Sequence, residues 1–569
     1  MDKRPDSVGL LPQPQKEKVI TSQLVEAYLD CPTKCFLRSM GDVATGNAFA
    51  TWNHTRSEAY YLDGVRRLTA DQTHEPGSCS VEPGRWKSED WLFARSQCVS
   101  AKNLATSPHV VQQIPSEGTS KASQLVPIRF VHCNRLSRSN KLMAGFDALV
   151  LSKALDIKIG LAKIIYGDHA ATFKLRTNTV SREVNKAIGA VAALLSAPDP
   201  PNLALNRHCP VCEFRDYCRK RAVEGNDLSL LPNLNLKEEE RLNSRGIFTV
   251  SQLSYTFRPR RRIRQRAARP EKYHHALKSL AIREQKIHVV GSPQLRVDGT
   301  AVLFDVEGNP DRDFYYLIGV QLEAEQGVIH HSFWADSAPD EECIWKDFLN
   351  ILSHVEDPIL VHFGAFETVF LKKMCRRYGG PPSDSAAAKA IASAINLLSV
   401  IYAQVYFPTY SNGLKEIARF LGFEWTSSVS SGLQSIIWRH EWEASGDPAL
   451  RAELITYNAD DCKALSLVLR TLDRISKLNF DAPKSVESES DIVHEGSLGK
   501  NLASNWTTFK SPLSELEHIN RAARWNYQRD RVFVRSGPRE KKKQSRENAI
   551  KKAASRRSYK KRAGNCGCA

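Results

Sequence analysis

Residues 300–308 read TAVLFDVEG, and this stretch decides the fold of the C-terminal half. An apolar run is interrupted by two acids two positions apart, Asp305 and Glu307. On a strand that spacing sends both side chains to one face. FYYLIGVQLE at 314–323 and GVIHHSFWA at 327–335 continue the strand character, DEECIWKDFLNILSHV at 340–355 has helical periodicity, and PILVHFG at 358–364 is a buried strand. Three strands in a meander, a helix and a further strand predict an α/β domain over 298–475, a mixed sheet flanked by helices. NGLKEIARFLG at 412–422 and residues 447–474 supply later helices.

Asp305 and Glu307 repel each other, and each is costly to desolvate. A divalent cation between them removes both costs, and Mg²⁺ or Mn²⁺ suits a few hard carboxylate oxygens plus a substrate phosphate. Two more acids fall where such a site needs them. Glu367 opens a helix just after the PILVH strand. Asp461 lies in LITYNADDCKALSLVL at 454–469, with Tyr457 four residues earlier on the same helix face. Asp460 competes with Asp461, and the spacing from Tyr457 favours Asp461. His362 reads as a core histidine ahead of a group supporting a ligand. As ordinary surface charges, the same acids would carry no chemistry.

This pattern resembles the DEDD exonuclease superfamily, whose core is ribonuclease H-like, in the branch with a tyrosine in its last motif. Glu367 stands where the superfamily usually has aspartate, a variant similar to RecB-like predicted nucleases with a fused ribonuclease H-like domain of the YprB type. The resemblance implies a 3′→5′ exonuclease working by two metal ions held by Asp305, Glu307, Glu367 and Asp461, with Tyr457 orienting the attacking water.

A second group is made of thiols. Cys209-x-x-Cys212 followed by Cys218 is a spacing that soft thiolates use to hold zinc or iron–sulfur. Upstream, ITSQLVEAYLDCPTKCFLRSM at 20–40 reads as one amphipathic helix, capped by Thr21 or Ser22 and running into cysteine. The helix offers Cys31 as a fourth ligand, with Cys35 competing. This set resembles the iron–sulfur RecB-like nucleases of the AddB type, whose Cys-Pro motif Cys31-Pro32 matches, implying Cys31 as the fourth ligand of a [4Fe–4S] cluster, with Zn²⁺ as the alternative. Cys566 and Cys568 lie in the basic tail.

The resemblance also implies an N-terminal restriction-endonuclease-type core of the PD-(D/E)xK kind. VPIRFVHC at 126–133, KLMAGFDALVLS at 141–152 and DIKIGLAKIIYG at 156–167 read as strands. Asp147, Asp156 and Lys158 then match the motif, while Lys163 sits where the subfamily's lysine is expected without an acid before it. The site there is active or degenerate. VSREVNKAIGAVAALLSA at 180–197 reads as a helix.

The expected organisation is a polar leader at 1–18, the cysteine-bearing RecB-like module at 19–225, a small helical linker domain at 226–290, the exonuclease domain at 298–475 and a basic, largely disordered tail at 476–569. Within the linker, 227–256 reads as two or three short helices with a glycine turn, and RPRRRIRQRAARP at 258–270 as a basic surface or a phosphate contact.

The 569 residues carry 80 Lys and Arg against 63 Asp and Glu, a formal net charge of +17 that favours a polyanionic partner. The expected partner is nucleic acid, DNA ahead of RNA, and not a membrane. No apolar run is long enough to span a bilayer, and MDKRPDSVGLLPQPQ has no secretory core. A cytoplasmic, reducing setting follows, so the 13 cysteines read as including metal ligands rather than a disulfide framework. The rival to an enzyme is a non-catalytic nucleic-acid-binding or assembly protein with degenerate sites. The basic tail alone suggests a third reading, a transposase-like endonuclease.

Overall fold

The computed structural model describes residues 18–42, 46–70, 86, 91–95, 98–114, 124–258, 273–324, 327–427, 431–478 and 491–498. Most of the basic segment at 258–270, the tail beyond 498 and Cys566 and Cys568 lie outside these residues. The chain divides into two compact units, one of residues 1–224, 295–399 and 413–474, the other of 225–294, 400–412 and 475–569. The architecture is mixed α/β, with several mixed sheets and many helices.

The first unit holds two five-stranded sheets. The N-terminal one comprises β1 (Phe93–Arg95), β2 (Val110–Ile114), β3 (Gln124–Val131), β4 (Leu161–Tyr166) and β5 (Ala171–Arg176), in that spatial order. Only β3 and β4 pair in parallel. A parallel pair needs a crossover, and the helix Arg138–Leu155 supplies it. The first helices of this part among the described residues are α1 (Ser22–Asp30), α2 (Pro32–Met40), α3 (Ala48–Ala70) and α4 (Arg138–Leu155).

Two readings of the sequence are corrected here. The stretch 20–40 forms two helices. Pro32 has no N–H to donate and disfavours helical backbone at the residue before it. Cys31 is therefore extended (φ −165°, ψ 127°), ending α1 and starting α2. Thr21 is the cap, accepting from the Leu24 amide.

The stretch KLMAGFDALVLS is the body of α4, not a strand. Lys, Leu, Met and Ala, good helix formers, make up most of it, and it is buried on almost every side, from Leu142 through Ala148 and again at Val150 and Leu151. A helix apolar all round loses the periodicity that would separate it from a buried strand. Gly145 matters here, because a Cβ would sit 2.6 Å from Val180 Cγ2. The next helix, α5 (Ser181–Ser196), packs against α4 and is followed by the cysteine loop and α6 (Arg215–Glu224).

The second sheet has the order β8-β7-β6-β9-β10, made of β6 (Thr300–Asn309), β7 (Phe314–Ala324), β8 (Gly327–Trp334), β9 (Pro358–His362) and β10 (Ile395–Asn396). β6 is central, antiparallel to β7 and parallel to β9. Against it packs α7 (Glu341–His354), whose Ile344, Phe348 and Leu352 recur at four-residue spacing on its buried face. Phe348 meets Phe304 of β6 with ring centroids 5.6 Å apart. Truncating Phe348 to alanine should cost about 3–5 kcal/mol. The domain continues with α8 (Phe366–Tyr378), α9 (Leu414–Phe420), α10 (Gly432–Ser445) and α11 (Pro448–Lys477).

The N-terminal part and this domain meet within the first unit. Asp311, in the β6–β7 turn, accepts from the Asn134 amide at 3.0 Å, and Arg312 bridges Asp168 at 3.1 Å and Glu443 of α10 at 2.7 Å.

The second unit has helices at Leu236–Asn243, Val250–Ser254 and His275–Glu284, and a three-stranded sheet with Ile287–Val289 between Val405–Tyr406 and Ile492–His494. Buried Lys278 donates to Phe407 O and Asn412 Oδ1, each at 2.8 Å, tying 400–412 to this unit.

Candidate metal centre and thiol pocket

β6 carries Asp305 and Glu307 on one face, as the two-residue spacing requires. α11 carries Tyr457 and Asp461 one turn apart. Where they meet, carboxylate oxygens of Asp305, Glu307 and Asp461 lie within 4.8 Å of one another, the one such group among the described residues. Asp460 is not part of it. Its carboxylate accepts from the Thr426 amide at 2.8 Å and from Lys463 at 3.0 Å.

Each member of the trio is held by a donor. Asn458 Nδ2 donates to Asp305 Oδ2 at 2.8 Å, Ser435 Oγ to Glu307 Oε2 at 2.7 Å, and Trp425 Nε1 to Asp461 Oδ1 at 2.7 Å. Asn458 fits only because Gly319, opposite Asp305 in the ladder, has no side chain. A Cβ there would overlap the Asn458 amide oxygen. The Tyr457 hydroxyl hydrogen-bonds Asp461 and accepts from Lys415 Nζ, which stands 3.7 Å from Asp461 Oδ2. None of Lys415, Trp425, Ser435 and Asn458 was anticipated from the sequence. Only Asn458 had a signal, its place between Tyr457 and Asp461.

The electrostatics are those of crowded like charges. Burial, then the neighbouring Asp461 and Glu307, hold Asp305 well above the usual carboxylate range. Burial and Asp461 push Glu307 up to about 8. Burial raises Asp461 as well, opposed by Lys415 and the donors from Trp425 and Tyr457.

Glu367, in the first turn of α8, lies outside the trio, but its charge acts on both Asp305 and Glu307. It is 4% exposed, and its Oε2 has no hydrogen-bond partner among the described residues. His362 Nδ1 lies 3.7 Å from that oxygen. Buried, hard-oxygen, mutually repelling and one atom unsatisfied, this donor set fits divalent cations.

Residues 302–473 match the family model RNase_H_2 of the RNase H superfamily. Residues 302–473 are a ribonuclease H-like domain. None of the curated proteins compared matches the chain. A solved structure described as the crystal structure of SSO0001 is similar at 10% identity and a TM-score of 0.20, over 37% of this chain and 89% of that one. The ribonuclease H-like domain has a nuclease-type fold, which implies a nucleic-acid substrate and divalent-metal hydrolysis in general terms.

The N-terminal acids are placed differently. Asp147 is buried inside α4, where Arg129 forms an ion pair with it, one guanidinium nitrogen at 3.0 Å, and Thr106 donates to it at 2.5 Å. Asp156 is exposed at the C-terminus of α4 with φ +50°, and Lys158 is exposed beyond it, so the Asp156-x-Lys158 segment is not on a strand. The strand begins only at Leu161. Lys163, on β4, donates to Gln112 Oε1 at 2.7 Å. A cleft of about 990 Å³ opens in this module, lined by His54, His109, Arg129 and others but by none of these four residues.

Cys31, Cys209, Cys212 and Cys218 line one small pocket, and Cys35 does not. No three of these sulfurs come within 4.8 Å of one another. A zinc tetrahedron with bonds of about 2.3 Å would set them about 3.8 Å apart. Burial raises Cys212 to about 12 and Cys218 to about 11, so in the absence of a cation both are neutral thiols. The donor chemistry fits a thiophilic metal, and the spacing is wider than a lone zinc holds. No helix among the described residues is long and apolar enough to cross a membrane.

Proposed function

We propose that the protein is a divalent-metal-dependent 3′→5′ exonuclease acting on DNA. The observation that carries this is the meeting of Asp305, Glu307 and Asp461, from elements some 150 residues apart, inside 4.8 Å with Tyr457 beside them. Asp305, Glu307 and Asp461, with Glu367, would hold two ions. When bound, the ions supply charge neutralisation at the scissile phosphate and acidify water. Tyr457, fixed between Lys415 and Asp461, orients the attacking water. Asn458, Ser435 and Trp425 keep the carboxylates aimed before substrate arrives, which is how preorganised sites avoid reorganisation during reaction.

The test is hydrolysis of end-labelled single-stranded DNA and RNA with Mg²⁺ or Mn²⁺. Shortening from the 3′ end of DNA, lost in Asp305→Ala and Asp461→Ala, is expected. Equal hydrolysis by wild type and both variants would overturn the site. No hydrolysis of either polymer would favour the non-catalytic nucleic-acid-binding reading.

The cysteine pocket is taken as a metal centre holding Cys31, Cys209, Cys212 and Cys218, an iron–sulfur cluster before zinc. Anaerobically purified protein should contain iron that Cys212→Ser loses. Stoichiometric zinc without iron would reverse the choice.

A further inference from the structure

We propose that Lys415 is a positioning residue of the carboxylate centre, a built-in cation that orients Tyr457 and competes with divalent ions for Asp461. The inference rests on the nuclease reading above.

Three contacts point to it. Lys415 Nζ donates to the Tyr457 hydroxyl, lies 3.9 Å from the centre of the same ring, and stands 3.7 Å from Asp461 Oδ2. The Tyr457 oxygen accepts from the ammonium, so its own hydrogen is free to be directed at Asp461, with which it is hydrogen-bonded. A phenol held this way has one orientation instead of several. The ammonium also sits among charges of opposite sign. Asp461, Glu307 and Asp305 all act on it, in that order of strength. It therefore compensates part of the trio's repulsion when no ion is bound, and opposes an incoming dication at close range.

The helix α9 that delivers Lys415 is anchored beside the site. Its Arg419 and Lys415 both lie over the Trp425 ring, at 5.3 and 5.7 Å from its centre, and Trp425 is the donor to Asp461. Lysine, tyrosine, tryptophan and the ligand thus form one connected group.

A residue with these two duties has an unusual signature: its removal should slow hydrolysis and tighten metal binding together. Mn²⁺ affinity is measured by electron paramagnetic resonance on the full-length protein without substrate, and kcat and KM on labelled single-stranded DNA. Lys415→Met should bind Mn²⁺ at least about threefold more tightly while kcat falls at least about tenfold and KM changes little. Lys415→Arg keeps the charge, so its Mn²⁺ affinity should stay near that of wild type. Tyr457→Phe and the Tyr457→Phe, Lys415→Met double variant should have the same kcat, because the two residues act as one unit.

Weaker Mn²⁺ binding together with lower kcat in Lys415→Met would mark a merely structural lysine and overturn the proposal. So would wild-type values of both, or independent multiplication of the two single-variant losses. Asp305→Ala separates the two levels of inference. If that variant digests DNA like wild type, the nuclease reading fails. If it is inactive while Lys415→Met is indistinguishable from wild type, only the role of Lys415 fails.

Discussion

Two regions of this molecule bury aspartate, and they treat it in opposite ways. In the N-terminal module Asp147 is fully buried, and the Arg129 guanidinium and the Thr106 hydroxyl satisfy it. In the ribonuclease H-like domain Asp305, Glu307 and Asp461 face one another, with Lys415 nearby and Glu367 adding a fourth charge. A buried acid with its own arginine is complete as it stands. Buried acids that face each other are stable as ions only with further positive charge. The difference separates a structural carboxylate from a candidate metal ligand better than any motif does, since Asp147 and Asp305 both sit in apolar stretches that match nuclease patterns.

The contrast is broken most directly by removing one acid from each region. Asp305→Ala should lower the hydrolysis rate by about 10³-fold or more, the scale on which members of a catalytic unit act. Asp147→Ala should leave the rate per folded molecule unaltered and destabilise the protein by about 1–3 kcal/mol, because half-buried Arg129 and Thr106 both lose their partner. Denaturant melts and specific activity measured on the same samples decide it. If Asp147→Ala retains full stability and loses activity, the two acids have exchanged roles.

Gly319→Ala sharpens the comparison inside the metal centre. Its methyl group would displace Asn458 from Asp305, costing about 1–3 kcal/mol of stability, and the rate should fall with the ligand's orientation. Unchanged activity would show that the Asn458 contact contributes nothing.

The smallest effect concerns pH without metal. Glu307, raised from 4.5 to about 8 by burial and Asp461, binds a proton in the folded state that the unfolded chain has already released over that interval. Stability of the metal-free protein should therefore fall as pH rises from 4.5 to about 8. In chelator, the melting temperature near pH 8.5 should lie a few degrees below that near pH 5.5, and Mg²⁺ should raise the former more. Equal stabilisation by Mg²⁺ at both pH values would remove the link between repulsion and metal binding.

Strand periodicity and helical spacing are local properties, so the sequence alone determined the meander of β6, β7 and β8, the helix α7, the strand β9, and the pairing of Asp305 with Glu307 and of Tyr457 with Asp461. A two-residue step on a strand and a four-residue step on a helix place side chains together whatever surrounds them. Only the tertiary structure decided that KLMAGFDALVLS is a helix, since burial on all sides erased its period, and that Asp147 faces Arg129. It likewise decided that Glu367 stands outside the closest trio and that 400–412 packs with the linker helices. Lys415, Ser435 and Trp425 reach the carboxylates from segments that no spacing rule connects to them. Which charge ends beside which depends on packing between distant elements, and that is where the proposed chemistry lies.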